Sequence, residues 1–91
     1  MNDTIRDNTA LQRFELETEG HNAVAYYRLS PDTITIFHTE VDPEISGRGV
    51  GSRLVHGVLE IVRQRGLKVV PRCSFVGNYI ARHPEFKDLV K

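Results

Sequence analysis

Three glycines at every second position, Gly47, Gly49 and Gly51, separate a β-branched segment from an amphipathic one, and no other feature constrains the chain as much. Glycine costs backbone entropy wherever neither a positive φ nor a close approach is needed. The run therefore predicts either a tight loop or a loop whose backbone closely approaches a ligand. Before it, Thr33–Val41 is β-branched for most of its length and alternates Ile34 and Ile36 with Thr33 and Thr35, as a strand does. After it, Val50, Leu54, Val55, Val58, Leu59 and Val62 recur at spacings of three and four, which predicts a helix with one apolar stripe, capped by Gly66. A glycine loop opening a helix offers unpaired N–H groups and the positive end of the helix dipole. Phosphate or pyrophosphate is its natural guest.

The flanking segments place this loop in a fold. Phe14 and Leu16 alternate with Glu15 and Glu17, residues 23–29 are aromatic and aliphatic, and Ser30-Pro31-Asp32 is turn chemistry, so three short-linked strands form an antiparallel meander. Residues 67–73 read as a short buried strand in which Pro71 ends the pairing or makes a bulge. Strand, helix and strand in that order argue for a βαβ unit with a parallel pair. Ser74 is the expected N-cap of a second helix running to about His83, which Pro84 ends, and Phe86 and Leu89 are expected to pack back onto the body. Residues 1–9 are polar and without periodicity and read as a loose leader. Residues 10–91 are then one α+β domain.

Composition narrows the function. Among 91 residues, 12 Lys+Arg balance 12 Asp+Glu, so no field of one sign draws the chain to nucleic acid or to an acidic membrane. The cluster of Arg53, Arg63, Arg65, Lys68 and Arg72 lacks an aromatic stacking platform. Cys73 is the single cysteine, and no spacing of Cys and His suits a metal; His21, His56 and His83 read as scattered surface residues. No window has the roughly 20 apolar residues of a membrane span. A soluble cytoplasmic protein is expected.

Two familiar phosphate loops fail the spacing test. Gly51 is followed by Ser52 with no lysine, against a Walker loop, and the third glycine comes one residue early for the dinucleotide fingerprint. An antiparallel meander, a loop ending Arg/Gln-x-x-Gly-x-Gly/Ala, then helix, strand and helix resembles the GNAT superfamily of N-acetyltransferases, over residues from about 11 to 88. Phe37-His38-Thr39-Glu40-Val41, Gly47-Arg48-Gly49-Val50-Gly51, Val70-Pro71-Arg72-Cys73-Ser74, Tyr79 and His83-Pro84-Glu85-Phe86 look like its minimal subfamily of short proteins. Ser46 departs from the usual Arg or Gln, which implies weaker cofactor binding unless Arg48 compensates. The helix pair that larger members place between their first strands is missing.

The resemblance implies that acetyl-CoA lies between splayed strands ending at Val41 and Cys73. Val41 would pair with the pantetheine arm, while the backbone of Gly47, Arg48, Gly49, Val50, Gly51 and Ser52 would hold the pyrophosphate, with Asn78 and Arg82 within reach of the cofactor. His38 and Glu40, two apart on a strand, leave it on the same face and could deprotonate an incoming ammonium, Glu40 being the preferred base. Cys73, where a strand meets a helix N-terminus, could accept the acetyl group or merely line the thioester pocket. Tyr79 takes, by resemblance, the role of the acid for the departing thiol. The expected function is acetyl transfer from acetyl-CoA to an amine. The alternative is a non-catalytic CoA or acyl-CoA binding module.

Overall fold

The computed structural model describes residues 4–91 and builds one five-stranded sheet, in the order β1 (Ile5–Asn8), β2 (Arg13–Thr18), β3 (His21–Leu29), β4 (Thr33–Val41), β5 (Lys68–Pro71). The first four strands are antiparallel and β5 joins β4 in parallel. Between β4 and β5 lie a 3₁₀ turn, Pro43–Ile45, the glycine loop and helix α1, Val50–Gln64. Helix α2, Ser74–Arg82, and a 3₁₀ segment, Pro84–Leu89, complete the chain.

Most of the predicted elements are present, with three differences. The supposed leader contains β1, and the first three residues lie outside the described part. Its sequence, Ile-Arg-Asp-Asn, carries only one apolar residue, so no alternation shows. Long-range partners hold it instead. Ile5 lies against Gly57 of α1, and Asp7 accepts a 2.5 Å hydrogen bond from the Tyr27 hydroxyl and pairs with Arg65 at 2.9 Å. The second difference is at α2, where Cys73 is the N-cap and Ser74 the first helical residue. The third is at the β2–β3 link, where the sequence suggests a turn at Gly20-His21-Asn22 but the turn is Glu19-Gly20, both at positive φ, and His21 already pairs with Thr18. Two positive-φ residues match the right-handed twist of a two-residue hairpin.

The core occupies one face of the sheet. Phe14, Leu16, Ala23, Ala25, Tyr27, Ile34 and Ile36 pack against the α1 stripe and against Val76, Ile80, Phe86 and Leu89 as a single cluster. Gly66, at φ +69, follows the C-cap of α1 as expected. Every buried helix residue belongs to that cluster, so among the described residues the opposite face, carrying Arg13, Glu15, Val24, Tyr26 and Glu40, has no helix over it. Glu15 is nevertheless buried there. Arg13 and Asn8 hydrogen-bond its carboxylate and Arg6 adds an ion pair at 3.1 Å; the Arg13 bond is the main reason its carboxyl sits below the usual range.

Candidate active site

The site begins at a bulge in β4. Tyr26 pairs with His38 and Tyr27 with Ile36, so Phe37 is an extra residue without a partner on β3. Because side chains alternate with period two, one inserted residue reverses which face the following residues occupy. Ile34 and Ile36 point into the core before it; Thr39 and Val41 turn toward the core after it, and Phe37, His38 and Glu40 are exposed. Pairing with β5 stops at the same place. The last partners are Ile36 and Pro71, and the N–H groups of Arg72 and Cys73 both turn to the Ile36 carbonyl, at 3.0 and 3.1 Å. Pro71 has no N–H with which to extend the ladder. Beyond Ile36 the two strands part.

Cys73 sits in that opening. Its sulfur lies 3.5 Å from the Thr39 hydroxyl. Burial alone pushes the thiol up, but hydrogen bonds from the Thr39 hydroxyl and from the backbone N–H groups of Val76, Phe75 and Thr39 outweigh it, and the thiol lies below its ordinary value. The Thr39 N–H thus points from β4 toward the sulfur, and those of Phe75 and Val76 come from the first turn of α2. Such a setting favours thiolate.

His38 and Glu40 meet each other on the uncovered face, His38 Nε2 lying 2.9 Å from Glu40 Oε2, with the imidazole stacked beside Tyr26. Both are more than half exposed. Neighbouring residues of one strand therefore deliver a thiol contact to one side and a carboxylate–imidazole pair to the other.

The glycine loop lies beyond the end of β4. Gly47 and Gly49 take φ of +80° and +74°, and a Cβ on either would meet nothing within 4 Å. Gly49 caps α1 in the left-handed conformation and no side chain caps the helix, so the N–H groups of Val50, Gly51 and Ser52 have no partner within it. Gly51 lies inside the helix, and a Cβ there would stand 2.9 Å from the far end of the half-exposed Phe75 ring. Ser46 ends the preceding 3₁₀ turn, and Arg48 is paired with Glu19 of the β2–β3 turn. Ser52, Asn78 and Arg82 are brought together, with Phe75, Tyr79 and His83, around a hollow of about 140 Å³ between the two helices.

Tyr79 lines this hollow. Its hydroxyl meets His56 Nδ1 at 3.0 Å, and its ring lies on His83 at 3.9 Å between centroids. Burial holds the phenol above its usual value, with Glu85 and Glu60 adding to the effect. The histidines expected to be scattered are therefore engaged: His56 and His83 flank Tyr79, and His21 pairs with Asp42 at 2.9 Å. Among the described residues no group of His, Cys, Asp or Glu is placed to hold a metal ion, and no helix is long and apolar enough to cross a membrane.

The fold is shared with known proteins. A family model described as GCN5-related N-acetyl-transferase matches residues 13–89. The chain belongs to that family. The GCN5-related fold is equally evident in a solution structure from Staphylococcus aureus, of a GCN5-like protein provisionally assigned as an N-acetyltransferase. It superimposes with a TM-score of 0.72 at 28% identity, over 97% of this chain and 87% of that one. No curated protein matches the sequence. Within this GCN5-related chain, sequence reasoning missed Thr39, His56 and Glu19. Thr39 was legible as Cys73's neighbour only once the bulge was known. His56 lay on the polar side of its helix, and Glu19 in a turn.

Proposed function

We propose that this GCN5-related chain transfers an acetyl group from acetyl-CoA to a primary amine, in the reducing cytoplasm that a free working thiol requires. The observation that carries the reading is the Cys73 sulfur, held by Thr39 where β4 and β5 part. The residues present suit acetyl-CoA. An uncapped helix start behind two positive-φ glycines offers N–H groups to a pyrophosphate, and the unpaired edge of β4 as far as Val41 offers peptide groups to an amide-containing arm. Arg48 can leave Glu19 for a phosphate at small cost, because an exposed ion pair is worth about 1 kcal/mol or less. Ser52, Asn78 and Arg82 supply further polar contacts from the helix side.

The thiolate of Cys73 attacks the acetyl carbonyl, the carbon–sulfur bond to CoA breaks, and the proton lost by Cys73 leaves on the CoA thiol. The amine, relieved of its proton by Glu40 with His38 beside it, then attacks the acetyl-cysteine and restores the thiol. Direct attack by the amine on acetyl-CoA would use the same base and leave Cys73 as a wall. Tyr79 is assigned to the wall of the helix hollow, since its hydroxyl is turned to His56. A second reading, a non-catalytic acyl-CoA module, is favoured by the uncovered sheet face, where nothing closes over an acceptor.

Calorimetric titration with acetyl-CoA followed by intact-mass measurement tests these. Micromolar binding, about −8 kcal/mol, is expected. A one-acetyl mass gain that Cys73→Ala abolishes, together with turnover of an amine, supports the covalent route. Turnover by Cys73→Ala within tenfold of the parent supports direct attack. A stable adduct with no turnover supports the binding module, and absence of binding removes all three.

A further inference from the structure

The glycine loop is gripped from outside by the β2–β3 hairpin. Ile45 and Val50 are both buried in the core, and between them run Ser46, Gly47, Arg48 and Gly49, the two glycines at positive φ. On the approach to this stretch, Asp42 donates its N–H to the Asn22 carbonyl at 3.1 Å. Its carboxylate lies 2.9 Å from His21 Nδ1 and accepts the Glu44 N–H at 3.0 Å. Within the stretch itself, the ion pair of Arg48 with Glu19 is the only side-chain tie among the described residues. Arg48 therefore stands between two glycines, where the backbone is most permissive, with its guanidinium committed to a residue of the hairpin.

The turn breaks a local rule to make that tie. Glu19 takes φ +52°, in the region where a two-residue hairpin turn calls for glycine, asparagine or aspartate. Packing does not account for the glutamate, because its side chain is 64% exposed and its one partner among the described residues is Arg48. Arginine binds carboxylate and phosphate through the same N–H groups. A guanidinium turned to Glu19 is thus withheld from an anion at the neighbouring N–H groups of Val50, Gly51 and Ser52. We propose that Glu19 is a place-holder for phosphate: it occupies Arg48 in the empty chain, yields it when a pyrophosphate arrives, and so lowers the affinity for acetyl-CoA. The inference rests on the acetyl-CoA reading of the glycine loop. Its size follows from exposure, since an exposed ion pair restrains the exchange by a factor of about five at most. Donor affinity is then set in part by a side chain that lies outside the loop and need never touch the donor.

The test is calorimetric titration of the whole protein with acetyl-CoA and with S-acetylpantetheine, which has the thioester and the arm without the pyrophosphate. Glu19→Gln should tighten acetyl-CoA about three- to fivefold and leave S-acetylpantetheine unchanged. Arg48→Gln should weaken acetyl-CoA, and in its background Glu19→Gln should add nothing, because the competition is for that guanidinium alone. Glu17→Gln neutralises an exposed carboxylate two residues away on β2 and should leave both affinities as in the parent. Glu19→Asn suits the turn, so it should melt above the parent and also tighten acetyl-CoA as Glu19→Gln does. Unchanged or weaker acetyl-CoA binding by Glu19→Gln would overturn the proposal, as would a gain for Glu19→Asn in melting temperature without a gain in affinity. Equal tightening by Glu17→Gln, or equal tightening of S-acetylpantetheine, would reduce the effect to general charge and overturn it too. Failure of the parent and every variant to bind acetyl-CoA would defeat the acetyl-CoA reading itself, a result distinct from all of these.

Discussion

Gly57 lies in the middle of α1, directly beneath β1, and Gly57→Ala sets two opposing terms against each other. Alanine is favoured over glycine inside a helix by about 1 kcal/mol. Here, however, the new methyl would stand 2.5 Å from Ile5 Cγ1 and 3.0 Å from Cδ1. Carbon atoms rest at about 3.5–4.0 Å, so Ile5 must retreat by roughly an ångström. It cannot do so freely, because Asp7 two residues on is tied to both Tyr27 and Arg65. Overpacking of this kind costs about 1–3 kcal/mol, so the substitution should destabilise by about 1 kcal/mol net. Urea denaturation and thermal melting read it directly; a domain of this size should lose about 4–8 °C per kcal/mol. Adding Ile5→Ala removes the clash and keeps the helix gain, so the pair should show a favourable coupling of about 1–2 kcal/mol. Gly51→Ala is the control, because its methyl meets only the far end of the half-exposed Phe75 ring, and it should be neutral or slightly stabilising. A Gly57→Ala protein that melts higher than the parent would show that β1 does not rest on α1.

Three further outcomes are expected. The Tyr27 phenol is pushed up to about 12, burial being the main cause and the Asp7 hydrogen bond the second, so the native state holds a proton that the unfolded chain releases above pH 10. Stability should then fall between about pH 10 and 12 by about 3 kcal/mol in all, and urea midpoints of Tyr27→Phe should lack that slope. Thr39→Val removes the hydroxyl that lowers the Cys73 thiol, so alkylation by iodoacetamide at neutral pH should slow severalfold; an unchanged rate would leave the backbone N–H groups of Val76, Phe75 and residue 39 as the whole cause. Gly49→Ala meets no atom within 4 Å but must hold φ near +74°, costing about 1–2 kcal/mol by melting, and Gly49→Asn should cost less because asparagine tolerates that region.

The extent to which the sequence disclosed this molecule follows from the range of its signals. The strand Thr33–Val41, the α1 stripe and the Gly66 cap were legible because each is written within a few neighbouring residues. Strand β1 was not, because what holds Asp7 is Tyr27, twenty positions away, and one isoleucine makes no pattern. The pairing of His38 with Glu40 could be read from their spacing, but not which face they take. His56 meets Tyr79 only because α2 lies beside α1, a relation between segments 23 residues apart that no periodicity records.

The bulge at Phe37 ties these observations together. With unbroken alternation, His38 and Glu40 would follow Ile34 and Ile36 beneath α1, where a carboxylate without a cation is prohibitively placed. Thr39 and Val41 would face outward. One extra residue exchanges the two sets, sending the carboxylate–imidazole pair to solvent and the threonine hydroxyl toward the sulfur. It does so where Pro71 ends the β5 ladder, so re-aiming and parting of the strands coincide. The chemistry of the opening thus depends less on which polar residues β4 carries than on a register change. A small domain can keep its apolar core on one face and still present a carboxylate–imidazole pair on the other.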